Sequence, residues 1–401
     1  MISINDKTDC CGCFACMNIC PKNCISMLPD KEGFLYPSVN MQECVDCGLC
    51  EKRCPMLDPQ HRARTPICIY GCRNTDSESL AAASSGGMFE LLADAVLSDN
   101  GIVFGAGFDK DNNVAHKHIE KTGDIDTLRR SKYVQSAIGV TYRQAGEILK
   151  AGRKVLFVGT PCQIAGLRSF LGKDFQNLIA VDFVCHGVPS PAVWQKYLAT
   201  ISDNNHIKIK DINFRNKENG WISIRFCYHK EYPDGKAANV TESRYANPFV
   251  RGFLYDLYLR PSCHECKFKH FSSGSDLTLS DFWGVWTNHP EWNDDKGASC
   301  IAVNTEKGAA FLKSIDTTKY ERTCLSFKQA YVDYNNYALK SASYNPKREL
   351  FFRELYDDKP LIPLIMRLTK KPFKQKIKDS ISVVAHKLKL HQLMHSYRIL
   401  R

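Results

Sequence analysis

Eight of the ten cysteines within the first fifty-five residues constrain this chain more than any other feature. Cys10, Cys13, Cys16 and Cys20 follow Cys-x-x-Cys-x-x-Cys-x-x-x-Cys, with Pro21 immediately behind. The run returns at Cys44, Cys47, Cys50 and Cys54, followed by Pro55. Three thiolates at this spacing fit three iron corners of one cubane, and the fourth of each run reaches across to the other cluster. Cys10, Cys13, Cys16 and Cys54 are therefore assigned to one [4Fe–4S] cluster, and Cys44, Cys47, Cys50 and Cys20 to a second. Each proline stops a short helix after the fourth ligand. Zinc sites pair two Cys-x-x-Cys units and need neither the third Cys nor the Cys-Pro. A disulfide framework suits small secreted domains. The opening Met-Ile-Ser-Ile-Asn-Asp has neither the charged nor the apolar region of a signal peptide.

The expected architecture is α+β / α/β: a bacterial-type two-cluster ferredoxin module over residues 1–57, a mixed α/β body over 67–345, and a basic helical tail over 346–401. Residues 58–66, bounded by Pro59 and Pro66, read as a polar linker. Within the module, Gly33–Pro37 reads as a short strand and turn. Strand candidates in the body are 67–72, 101–108, 114–119, 154–158 and 178–185, alternating with helical patterns at 80–97, 138–150, 161–171 and 191–201. The period then shifts toward two. Residues 207–214 and 221–228 read as antiparallel strands, 249–259 as a short helix, and 277–279 and 300–304 as further strands. Residues 321–355 read as helical or irregular.

The chain has 401 residues, 19 cysteines and a net charge of +11. Clusters and free thiols both require a reducing compartment, so a cytoplasmic protein is expected. The charge suggests nucleic acid until it is located. Residues 361–401 hold ten Lys or Arg and a single acid, which leaves only +2 on the other 360 residues. No nucleic-acid partner is expected. Phe373, Ile377, Ile381, Val384, Leu388 and Leu393 keep helical spacing between the lysines of this tail. A basic amphipathic helix can lie on an anionic membrane at its inner face, bind a partner, or pack on the body with a solvated basic side.

Four further cysteines stand at strand ends or in loops: Cys162 in Gly-Thr-Pro-Cys-Gln, Cys185 in Cys-His-Gly, and the Cys-x-x-Cys of Cys263 and Cys266. Ligands of open α/β sheets collect outside such strand ends. These cysteines can form a third metal site, or remain as buried thiols, a redox dithiol or half a zinc site. Ser84-Ser85-Gly86-Gly87 can present backbone amides to a phosphate or simply cap a helix. Residues 132–136, Lys-Tyr-Val-Gln-Ser, suit a flavin or an ordinary surface strand. Gly-x-Gly-x-x-Gly does not occur, so a Rossmann dinucleotide site is not supported.

In order, the two Cys runs, Ser-Ser-Gly-Gly (84–87), Ser-Lys-Tyr-Val-Gln-Ser (131–136), Gly-Thr-Pro-Cys-Gln (159–163), Cys-His-Gly-Val-Pro-Ser (185–190), Cys-x-x-Cys (263–266) and Ser-Asp-Phe-Trp-Gly (280–284) resemble the coenzyme F(420) hydrogenase/dehydrogenase beta-subunit family over residues 1 to about 345. The resemblance implies FAD in the body and a third [4Fe–4S] cluster there, with Cys162, Cys185, Cys263 and Cys266 at the matching ligand positions. Ser85, Gly86, Gly87, Lys132, Tyr133, Gln135, Ser136, Thr160 and Gln163 fall at the matching flavin positions. It also implies a deazaflavin hydride partner in archaeal members and, by analogy with bacterial members, a setting in cell-surface polysaccharide metabolism.

The expected activity is that of a FAD- and [4Fe–4S]-dependent oxidoreductase. Clusters pass single electrons, and a flavin converts them to a hydride. Lys132 and His186 are the candidates to steady the reduced flavin or move a proton; a surface Lys and a His at a strand end are the plainer readings. Expected partners are a redox protein or small electron donor and a hydride substrate, with an oligomer left open. The rivals are an electron-transfer subunit with no substrate of its own, and a scaffold without flavin.

Overall fold

The structure is a computed structural model that describes residues 1–57, 63–204 and 206–370. The linker and the tail helix therefore lie largely outside the described residues, including Phe373 to Leu393. Among the described residues no helix is long and apolar enough to cross a membrane.

The described residues build three sheets. β1 (Ile25–Pro29) and β2 (Leu35–Val39) form an antiparallel hairpin inside the ferredoxin module. The main sheet uses β3 (Cys68–Asn74), β4 (Ile102–Phe108), β5 (Val114–Ile119), β6 (Val155–Gly159) and β7 (Leu178–Phe183). β8 (Lys208–Asn216), β9 (Arg225–Glu231) and β10 (Ala237–Ser243) make a separate antiparallel sheet. β11 (Leu277–Asp281), β12 (Ser299–Val303) and β13 (Tyr320–Cys324) complete the main sheet. Its eight strands run in the order β13-β3-β12-β11-β7-β6-β4-β5. The centre β4-β6-β7-β11 is parallel, and antiparallel strands flank it on both sides.

Alternation along the central strands fixes the two layers. Phe104, Val155, Phe157, Leu178 and Ala180 face one core. Val103, Leu156, Ile179 and Val181 face the other, under the helices Met88–Leu97 and Glu306–Ser314. The first core also takes in Cys11, Cys13, Phe14, Ala15 and Met56, so the ferredoxin module is built into the body. Three further contacts seat it. Arg143, on helix Thr141–Lys150, donates to the carbonyls of Met17 and Asn18 at the end of helix Ala15–Ile19, where a cation meets the negative helix end. Gly33 (φ +83°) lies so close to Ala192 that a Cβ would come within 2.2 Å of the alanine methyl. Arg348 forms a forked ion pair with Glu32 at the tip of the hairpin.

Residue 345 marks no packing boundary. Phe351, Phe352, Leu364 and Ile365, on helices Arg348–Tyr356 and Leu361–Leu368, are buried in the same core as Trp194, Phe214 and Phe249. Two strands escape the sequence pattern. β13 is an edge strand with one buried residue, and β10 alternates without large apolar side chains. The helical pattern at 80–97 resolves into two helices, Ser77–Ala82 and Met88–Leu97, broken at Ser84–Gly87.

Candidate metal centres and the cleft beside them

All nineteen cysteines are free thiols. Twelve of them gather into three groups. In the first, Cys16 feels the charges of Cys13, Cys10 and Cys54, so the fourth cysteine of the second run stands with the first run. Burial is the main reason the thiols of Cys16 and Cys54 are raised, Cys54 to about 11. This inner group is pressed into the body. Helix Pro161–Leu171 passes so close that a Cβ on Gly166 would lie 2.8 Å from Cys13 Cβ and 3.1 Å from its Sγ.

The second group faces outward. Cys20, Cys44, Cys47 and Cys50 line one cavity of about 360 Å³, and Cys24 joins them with its Sγ 3.4 Å from that of Cys20. Cys47 is exposed, and so are Met41 and Val45 nearby.

The third group lies in the body. Cys162 is the second residue of helix Pro161–Leu171, Cys185 follows the end of β7, and Cys263 and Cys266 come from the turn after Arg260. All four line one open cleft, and Cys185, Cys263 and Cys266 each feel the charge of others in the set. Cys162 is pushed down to about 7, chiefly by a hydrogen bond from Cys11. Burial pushes Cys185 up to about 12. Lys269 donates to the Cys185 carbonyl at 2.7 Å and favours the thiolates of Cys185 and Cys266. Among the described residues no three His, Cys, Asp or Glu side chains converge on a single-ion site.

The expected flavin residues divide into two sets. Gln163 is fully engaged: its Oε1 accepts from Thr160 N at 2.9 Å, and its Nε2 donates to the Ser136 carbonyl at 3.0 Å. Ser136 Oγ meets His116 Nδ1 at 2.7 Å, and His116 Nε2 meets the Val158 carbonyl at 3.0 Å. Burial lowers His116 to about 4, so the ring is neutral. Its Nε2–H donates to the carbonyl and its Nδ1 accepts from the Ser136 hydroxyl. Gln135 donates to the Cys11 carbonyl and accepts from Arg260. The polar atoms of these four positions (Gln135, Ser136, Thr160, Gln163) are thus used within the protein.

Ser85, Gly86, Gly87, Lys132 and Tyr133 form the other set. The Ser84 hydroxyl accepts from Ser131 N at 2.9 Å, which joins the two loops. Ser85 Oγ donates to the Ala298 carbonyl, and Gly86 N donates to Ser299 Oγ. Gly86 has no room for a side chain, since a Cβ would meet Cys72 O and Ser299 N at 2.6 Å. Gly87, at φ +78°, opens helix Met88–Leu97 without a side-chain cap. Among the described residues, the half-buried Lys132 bonds the carbonyls of Leu128 and Arg129. Burial lowers it to about 7, and the charged neighbours that act on it are the cations Lys117 and Arg130. Tyr133 stacks on Phe253 at 4.7 Å. His186 lines the body cavity, with Nε2 2.5 Å from Asp256 Oδ1 and its ring edge-on to Tyr337.

Arg260 and Cys11 carry no motif, and the sequence gives neither a role. Arg260 is completely buried and donates to the carbonyls of Cys10 and Leu35 and to Gln135 Oε1. Its only sequence signal is its place three residues before Cys263.

Fold and cysteine groups define an iron–sulfur protein in which a two-cluster ferredoxin module is merged with a mixed α/β body. Residues 9–56 match the family model for the 4Fe-4S dicluster domain. Residues 152–324 match the model for the C terminus of the coenzyme F(420) hydrogenase/dehydrogenase beta subunit. Over 46 residues the chain is 39% identical to Ferredoxin-1 of Caulobacter vibrioides, covering 12% of this chain and 36% of that protein. Over 52 residues it is 35% identical to an uncharacterized ferredoxin of Methanocaldococcus jannaschii, covering 13% of this chain and 66% of that one. The chain thus spans about a third and just under two thirds of these curated relatives. A chain in the structure of the F(420)-reducing [NiFe] hydrogenase complex from Methanosarcina barkeri superposes with a TM-score of 0.43 at 17% identity, over 77% of this chain and 92% of that chain.

Proposed function

We propose that the protein is a flavin-dependent iron–sulfur oxidoreductase that carries electrons between an external redox partner and a hydride substrate. The observation that carries this reading is the third thiol group. Residues from three separated segments line one cavity that also receives Cys11, a residue of the ferredoxin module. Cys162, Cys185, Cys263 and Cys266 would hold the body cluster, and the outward group around Cys47 would meet the partner.

FAD would exchange single electrons with the clusters and a hydride with the substrate. Lys132 supports it: an ammonium withdrawn from water, with carbonyls for partners and cations for neighbours, is stabilised by an anion. The uncapped start of helix Met88–Leu97 is the second feature that favours negative charge near the Ser-Ser-Gly-Gly loop. Lys132 would hold the flavin's negative charge, while Tyr133 would supply an apolar wall. His186, held by Asp256, is the group placed to hold a proton at Nε2 or Nδ1 beside the body site.

A second reading, an electron-transfer subunit that feeds a partner enzyme, is favoured by the internal bonds of Gln135, Ser136, Thr160 and Gln163. One preparation separates the two. Anaerobically purified full chain is assayed for iron, sulfide and released flavin. Roughly twelve iron and one FAD per chain are expected. Roughly eight iron and no flavin would overturn the proposal. Roughly twelve iron without flavin would leave the electron-transfer subunit.

A further inference from the structure

We propose that Cys11 and Arg260 form a bridge between the inner ferredoxin site and the body site that sets the reduction potentials of both together. The inference rests on the body-cluster reading above. Two independent observations carry it.

The first is the position of Cys11. It belongs to neither ligand set, yet it lines the body cavity beside Cys162. Its buried thiol lies near both Cys13 and Cys162, and its single proton can be given to either sulfur in turn. The close pass of Gly166 over Cys13 keeps these two ligands near enough for one thiol to reach both.

The second is the charge on Arg260. The guanidinium is completely buried and its hydrogen bonds to Cys10 O, Leu35 O and Gln135 Oε1 all end on neutral oxygens. A buried cation costs several kcal/mol unless an anion answers it. The anions in reach would be the ligand thiolates: Cys10 Sγ lies 3.5 Å from Nη2, and Cys263 follows Arg260 by three residues, its N–H donating to the Arg260 carbonyl at 2.9 Å. The ring of Tyr36 lies 4.3 Å below and adds cation–π attraction. One cation thus answers a ligand of the inner site and a ligand of the body site.

Hydrogen bonds and positive charge at ligand sulfur favour the reduced, more negative cluster and raise its potential. Because each bridge residue stands between a ligand of the inner site and a ligand of the body site, one substitution moves two potentials. When one electron leaves the inner site it is oxidised and the body site reduced; no bond is broken, and Cys11 and Arg260 keep their protons.

The test is an anaerobic redox titration of the full chain, with the electron paramagnetic resonance signal of each cluster read separately. Cys11→Ala should lower the inner and body potentials together by up to about tenfold in the reduction equilibrium, ~59 mV for one electron, and leave the outer cluster unmoved. Cys11→Ser keeps a hydroxyl donor and should restore most of the shift. Arg260→Gln should lower both further; if that variant does not fold, the Cys11 pair decides. Unchanged potentials at full iron content, a shift at only one site, or loss of body-site iron in Cys11→Ala would each overturn the bridge. A wild-type chain with roughly eight iron overturns the body-cluster reading itself before any variant is made.

Discussion

The two ferredoxin cysteine groups come from runs of the same cysteine spacing and end in opposite surroundings. Cys13 and its neighbours are buried against helix Pro161–Leu171 and share a core with the main sheet. Cys44, Cys47 and Cys50 line an outward cavity, and Cys47 is exposed. The same local spacing therefore serves two tasks, because the long-range contacts of the first run give it a second role as a joint. The inner group is half of an interface, and the outer group is a terminal.

The largest expected effect separates these roles. Cys47→Ser should remove the outer cluster alone, leaving roughly eight iron and a body that unfolds near the wild-type temperature. Cys13→Ser removes a ligand in the shared core and should also lower the unfolding free energy by several kcal/mol more than Cys47→Ser. Iron analysis with anaerobic thermal unfolding checks both. Equal destabilisation by the two variants would break the comparison.

A glycine pair sharpens it at lower cost. Gly166→Ala drives a methyl into Cys13 and should cost about 1–3 kcal/mol by overpacking. Gly48, at φ +69°, caps the outer helix Leu49–Lys52, and an added Cβ there would meet no atom within 4 Å, so Gly48→Ala should cost only backbone strain of about 1–2 kcal/mol. Denaturant unfolding ranks them. The two should also differ in kind: Gly166→Ala should disturb the inner and body clusters, and Gly48→Ala only the outer one.

Sequence made one side of this comparison legible and hid the other. The eight ligands are local, since each run packs its chemistry into eleven residues, and spacing alone names the clusters. The parallel strands were legible too, because β6 and β7 are short apolar runs between turn residues. The bridge was not. Arg260 meets Cys10 across 250 positions, and Cys11 reads as a spare thiol until Cys162 is placed beside it. Gln163 and Thr160 show the same limit from the other side. The family resemblance places them at flavin positions, and in the fold a capping box and a bond to Ser136 engage their polar atoms. A motif records which residues are needed together; whether they are needed by a ligand or by one another is settled by where their hydrogen bonds go.

The smallest expected effect bears on the cleft rather than the metal centres. Burial holds Lys132 near 7, below its ordinary value of 10.5, so folding penalises its charged form. Between those values the unfolded chain binds the extra proton, and stability of the flavin-free protein should rise with pH across that range. An anionic flavin reverses the preference by drawing the proton back onto Lys132. Flavin binding above pH 7 should then take up a proton, and affinity should fall as pH rises, by at most about tenfold per unit. Lys132→Gln should weaken binding at pH 7 and flatten that dependence. Titration of flavin-free protein with FAD between pH 7 and 9, followed by flavin fluorescence, gives the slope. A slope that survives in Lys132→Gln would assign the proton to another group and remove Lys132 from the flavin's anionic side, while the cysteine groups and their bridge would stand as before.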